Sequence, residues 1–171
     1  MAKKISISLS QSSIQAAIDE LNKYKNSLKR KQEIFIERLA KEGIQVIRST
    51  MESIPDEEKG SYYTEIVNNS QGDIIGAAVR LSGDKILFLE FSAGITYGTD
   101  SYPLPSGSRY GVGTYPGQTH AFDKNGWWYI DEHGEKHHSY GNRAYMPMYR
   151  SSQAIVISIR EIAKEIFGKN Y

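Results

Sequence analysis

Ile14-Gln15-Ala16-Ala17-Ile18-Asp19-Glu20-Leu21 opens the stretch that decides the fold, because Leu28 and Phe35 continue its spacing of seven. Ala17, Ile18, Tyr24 and Leu39 thicken the same stripe, and Ile36, Ala40, Ile44, Ile47 and Met51 carry it onward. Apolar residues three, four and seven apart share one face of an α-helix. The spacing predicts one long amphipathic helix, capped at Ser10 or Ser12, with Gly43 as a bend or break point and Pro55 as its stop. Such a helix either lies on its own sheet or packs against helices of neighbouring subunits, and the heptads suit both. Lys23, Lys25, Lys29, Arg30 and Lys31 form a basic cluster on it, read as a solvated face or as a contact for an anionic partner such as DNA.

Upstream, Ile5, Ile7 and Leu9 alternate with Ser6, Ser8 and Ser10, the period-two pattern of a half-buried strand. The same alternation denies the N-terminus the continuous apolar core of a signal peptide. No run approaches the roughly 20 apolar residues that span a bilayer, so a soluble protein without a membrane partner is expected. Downstream, Tyr63, Glu65 and Val67 alternate, and Ile74 to Leu81 is apolar and β-branched. Lys85 to Phe91 reads as a further strand, paired in a hairpin through Ser82-Gly83-Asp84 with Gly83 at positive φ. Near the C-terminus Ile155, Ile159, Ile162, Ala163, Ile166 and Phe167 make one stripe, with Arg160, Glu161, Lys164 and Glu165 outside it, so a helix ends near Gly168.

The fold class that follows is α+β: a small, mostly antiparallel sheet packed by a long N-terminal helix and a C-terminal helix. With 171 residues, one domain is expected, in four parts: 1–60 (strand and long helix), 61–92 (strands), 93–145 (irregular loop and hairpin) and 146–171 (C-terminal helix).

Between Ala93 and Tyr149 lie nine of the fifteen glycines, four of the five prolines, eleven of the nineteen aromatics and all four histidines. Disordered segments are poor in aromatics, so this long Gly- and aromatic-rich region is expected to be ordered and covered, by its own core or by another chain. A formal charge of +1 gives no global field for nucleic acid or anionic membrane, and the absence of cysteine removes disulfides, thiolate metal sites and a cysteine nucleophile.

His133 and His137, with His138, Asp131 and Glu135, offer nitrogen and oxygen ligands for a metal such as zinc. Yet Trp127 to Asp131 and Lys136 to Tyr140 bracket Glu132-His133-Gly134-Glu135 as two strands bracket a turn, which puts His133 at the tip and His137 and His138 on opposite faces. That geometry disfavours a metal. Ser106-Gly107-Ser108 and Gly111-Val112-Gly113 lack the strand, helix and Lys of a phosphate loop. Ser92, Ser101 or Ser106 with His120 forms no recognisable nucleophile motif, so no catalytic residue and no cofactor is expected. Trp127 and Trp128 with nearby tyrosines serve either packing or a stacking platform for sugars or bases.

In order, Glu90-Phe91-Ser92-Ala93-Gly94, Gly98, Gly126-Trp127, Tyr140-Gly141, Pro147-Met148-Tyr149 and the run from Ile159 to Gly168 resemble the minor tail component or neck family of tailed phages. The resemblance implies a structural virion protein that is not an enzyme: a tail-completion subunit in a homo-oligomeric ring at the head-tail junction, made in the bacterial host cytoplasm. Its implied partners are head-closure or connector proteins, tail terminator or tail tube proteins, and DNA passing through the lumen. Its implied contact residues are Trp127, Trp128, Tyr129 and Tyr140 as anchors, Phe91 and Gly94 shaping the loop entry, and Pro147 and Met148 setting the docking of the last helix. Arg150-Ser151-Ser152 departs from the family, in which an alanine soon follows the Pro-Met pair. The alternative is a prophage-associated metal-dependent hydrolase or sugar-binding module using the His-rich hairpin and the aromatic platform.

Overall fold

The computed structural model describes residues 8–94, 123–131 and 133–168. Ser10 accepts the Ser13 N–H at 3.3 Å and starts α1 (Gln11–Glu52), whose 42 residues run without interruption. At 1.5 Å per residue α1 is about 63 Å long. A short helix α2 (Asp56–Lys59) turns the chain into β1 (Tyr62–Asn68), which pairs antiparallel with β2 (Ala77–Gly83) from Tyr62 opposite Gly83 to Asn68 opposite Ala77. Then come α3 (Ile86–Phe91), a second antiparallel pair β3 (Trp127–Ile130) and β4 (Lys136–Ser139), and α4 (Pro147–Phe167). The architecture is α+β, with the long N-terminal helix, the C-terminal helix and two small antiparallel sheets.

The core sits at the C-terminal end of α1, where Ile47, Met51, Ile54 and Leu89 are buried together and Tyr62, Val79, Leu81, Ile86, Tyr145 and Met148 pack around them. Helix α4 runs back along α1. Their contact starts where Met148 packs on the cluster of Ile47 and Met51 and is tightest at Gly43, where an added Cβ would stand 2.8 Å from both Ile155 Cδ1 and Ser151 Oγ. It ends where Phe35 meets Phe167 edge to face and Arg38 binds Glu165 at 2.6 Å. Gly43 is therefore not a break in α1. It removes a side chain so that α4 can approach.

Of the stretch Lys85 to Phe91 expected as a strand, Ile86–Phe91 is helical and Lys85 precedes it as the N-cap. Its apolar run is too short for periodicity to separate a strand from a buried helical turn, and packing decides. In the helix Leu89 and Glu90 are both buried while Leu87 is exposed, a grouping that strict alternation cannot produce. The expected hairpin through Ser82-Gly83-Asp84 is accordingly absent; β2 pairs with β1 through residues 69–76, where Gly72 takes positive φ. Gly83 is outside the left-handed region and matters for space, since a Cβ there would lie 2.3 Å from the Ser61 carbonyl oxygen. The expected strand over Ile5 to Leu9 lies mostly outside the described residues, and Leu9 itself is fully exposed.

Candidate functional site

The β3–β4 hairpin joins the body at its base. Ala93 and Asn142 exchange backbone hydrogen bonds at 3.1 and 2.9 Å, and the Asn142 side chain donates to the Phe88 carbonyl at 2.9 Å, so the end of α3 is laced to the end of the hairpin. Two glycines make the crossing possible. At Gly141 (φ +96°) a Cβ would fall 1.8 Å from the Ala93 carbonyl oxygen; at Gly94 (φ +78°) one would fall 2.8 Å from the Tyr140 carbonyl oxygen and 3.1 Å from Trp127 Cζ3.

The pairings Trp127–Ser139, Trp128–His138, Tyr129–His137 and Ile130–Lys136 sort the aromatics onto two faces, because successive side chains in a strand point oppositely. On one face Trp127 is half-buried beside Gly94, and Tyr129 stacks on His137 with centroids 5.4 Å apart. On the other, His138 makes edge contacts with Trp128 at 4.8 Å and Tyr140 at 4.6 Å, and the Lys136 ammonium sits 4.7 Å over the Trp128 ring. Trp128 is 61% exposed, Ile130 70% and Tyr140 55%. A ladder of rings thus stands open to solvent.

Asp131 fixes the turn. Its Oδ1 accepts the His133 and Glu135 N–H groups at 2.9 and 2.8 Å, and its Oδ2 lies 2.8 Å from His137 Nε2, which must carry the hydrogen when the carboxylate is ionised. The Glu135 N–H, then the His137 ring and the His133 N–H, hold the Asp131 carboxyl below the usual carboxylate range. Asp131, Glu135 and His137 bring their ligand atoms within 4.8 Å of one another, while His133 sits in the turn and His138 faces away. The expected division of the three histidines between tip and opposite faces is what the hairpin has.

The contact residues read from the sequence fall into two groups. Gly94, Trp127, Trp128, Tyr129 and Tyr140 come together in and under the hairpin. Pro147 is fully buried and Met148 packs on the core, where α4 begins; Phe91 is half-buried at the end of α3. The sequence reading gave no role to Glu90, which is 4% exposed and whose carboxylate binds the first turn of α4. Its signal was the lack of any capping side chain at Met146-Pro147. Gly98 and His120, and the loops around Ser106 and Gly111, lie outside the described residues.

Other apolar surface is exposed on the helices: Val156 (62%) and Ile157 (76%) on α4, and Ile14, Ile18 and Leu21 on the first turns of α1. Among the described residues no helix is long and apolar enough to cross a membrane. No protein-family model, curated protein or solved structure matches the chain.

Proposed function

We propose that the protein is a structural subunit of a tailed-phage or phage-like particle, a neck or tail-completion protein that assembles as a homo-oligomeric ring at the head-tail junction around a passage for DNA. The observation that carries the reading is the placing of exposed apolar groups on three separate elements: Trp128, Ile130 and Tyr140 on the hairpin, Val156 and Ile157 on α4, and Ile14, Ile18 and Leu21 on α1. Contiguous apolar patches on a soluble surface mark contacts with other chains. A ring subunit needs two different contacting sides as well as surfaces for the components above and below it. The ordered motifs from Glu90 to Gly168 support the same reading through their resemblance to the neck family. In this reading the hairpin aromatics anchor a neighbouring chain, and head-closure and tail proteins take the remaining surfaces.

Light scattering over a concentration series, followed by electron microscopy of the large species, tests the assignment. Closed rings of several subunits are expected. A strict monomer at every concentration overturns it.

One observation favours a second reading, a metal-dependent hydrolase or sugar-binding module: the convergence of Asp131, Glu135 and His137. Metal content of the purified protein separates the two. Stoichiometric zinc or another transition metal, lost in His137→Ala, favours the second; no metal together with assembly that fails in Trp128→Ala favours the ring.

A further inference from the structure

The β1–β2 sheet has only two strands among the described residues and is supported by packing on α1, since an isolated two-stranded ribbon is only marginally stable. Beside β1, an open groove runs between Lys41, Gln45 and Arg48 of α1 and Thr64, Glu65 and Ile66 of β1, with buried Ile44 on its wall. Arg48 Nε reaches Thr64 Oγ1 at 3.3 Å across it. On this side β1 pairs with no other strand among the described residues. An edge of this kind presents unpaired N–H and C=O groups to any extended segment of suitable pattern.

Ile5-Ser6-Ile7-Ser8-Leu9 has such a pattern, since its alternation would put three apolar side chains on one face and serines on the other. Its attachment point decides which edge it can reach. It joins α1 at Gln11, whereas the groove begins at Lys41, thirty residues further along an unbroken helix, or about 45 Å at 1.5 Å per residue. Six extended residues from Ile5 to Ser10 span only about 20 Å. The segment therefore cannot lie beside its own β1. A second copy has no such restriction.

We propose that residues 5–9 of one subunit add as a third strand to the edge of β1 that carries no strand among the described residues, in a neighbouring subunit, with Ile5, Ile7 and Leu9 turned toward the α1 wall of the groove. The proposal rests on the homo-oligomeric reading and deepens it. Donation of a terminal strand from each copy to the next is a heterologous contact, the kind that closes into a ring. It also gives the fully exposed Leu9 a buried place.

The chain has no cysteine, so introduced thiols report single positions. Ser6→Cys and Glu65→Cys proteins, whose thiols share the face turned away from α1, are mixed at assembling concentration and treated with a short bismaleimide, and in parallel Ile5, Ile7 and Leu9 are all replaced by Asp in the full chain. The expected results are a cross-linked dimer only when both cysteine variants are present, and a triple variant that keeps helix content and melting temperature but falls to monomer mass. An oligomer that persists in the triple variant with no mixed cross-link overturns strand donation and leaves the ring standing. Cross-linking of Glu65→Cys with itself overturns it in favour of symmetric β1–β1 pairing. A wild-type chain that is monomeric at every concentration overturns both the strand and the ring.

Discussion

Glu90 Oε2 accepts the backbone N–H of Met148 at 2.8 Å while Oε1 accepts that of Tyr149 at the same distance, so one buried carboxylate caps the first turn of α4 from another helix. Met146, the residue before the helix, is in the left-handed region and makes no capping bond, and Pro147 has no N–H to offer. Without Glu90 those two half-buried donors would lose their partner. Glu90→Ala is expected to lower unfolding free energy by about 3 kcal/mol, with Glu90→Gln, which keeps one acceptor, in between. Denaturant titration checks this; an Ala variant as stable as the parent would show that α4 is held by its apolar face alone.

Gly141 and Gly134 make a matched pair of substitutions. Both have positive φ, but a Cβ at Gly134 meets nothing within 4 Å whereas at Gly141 it strikes the Ala93 carbonyl oxygen. Gly134→Ala carries only the backbone term of about 1 kcal/mol. Gly141→Ala must in addition break the Ala93–Asn142 bridge, and its melting temperature is expected to fall well below that of Gly134→Ala. Equal melting temperatures would refute the steric account.

At Gly43 the sign depends on size. Gly43→Ala adds helix propensity worth about 1 kcal/mol, and the atoms it meets are the Ile155 side chain and the Ser151 hydroxyl, which can shift, so little net change is expected. Gly43→Leu overfills the same contact and should cost about 2 kcal/mol. Thermal unfolding of the two variants measures the contrast.

Acid should loosen the hairpin before the helical body. Asp131 is held below the usual carboxylate range by the Glu135 N–H first and the His137 ring second. A depressed folded-state value means that its contribution is present above the ordinary carboxyl pKa of about 3.9 and is lost as pH falls through the lower folded value. Tryptophan emission, which reports Trp127 and Trp128, is expected to change below pH ~4 ahead of the far-ultraviolet helix signal. In Asp131→Asn the early step should vanish. An unchanged acid profile in that variant would remove Asp131 from the account.

For the proposed ring, Trp128→Ala separates assembly from folding. With the ring 61% exposed, its loss should shift the melting temperature little, while the oligomer mass at a fixed concentration falls. A large fall in melting temperature would place Trp128 in the subunit's own stability instead.

The two long helices were legible because their stripes extend over many turns, so no single residue decides the period. The β3–β4 hairpin was legible from turn chemistry, Glu132-His133-Gly134-Glu135 between aromatic flanks. Lys85 to Phe91 was not, because seven residues rich in Ile, Leu and Phe fit a strand or a helical turn equally, and the choice is made by Leu89 in the core and Glu90 at the start of α4. Gly43 misled for a related reason: glycine weakens a helix taken alone, and only the position of Ile155 shows why a side chain is excluded there. At the candidate site the aromatic identities were visible, but their division between two faces needed the register Trp128 opposite His138.

The crossing of α4 over Gly43 also makes α1 a lever. Beyond Phe35, where its contact with α4 ends, the helix continues for about 36 Å to Gln11, so each degree of rotation there would move its start by roughly 0.6 Å. Small adjustments in how α4 seats along α1 would thus shift a distant surface, which in the proposed ring would couple the packing of one subunit to the spacing between neighbours.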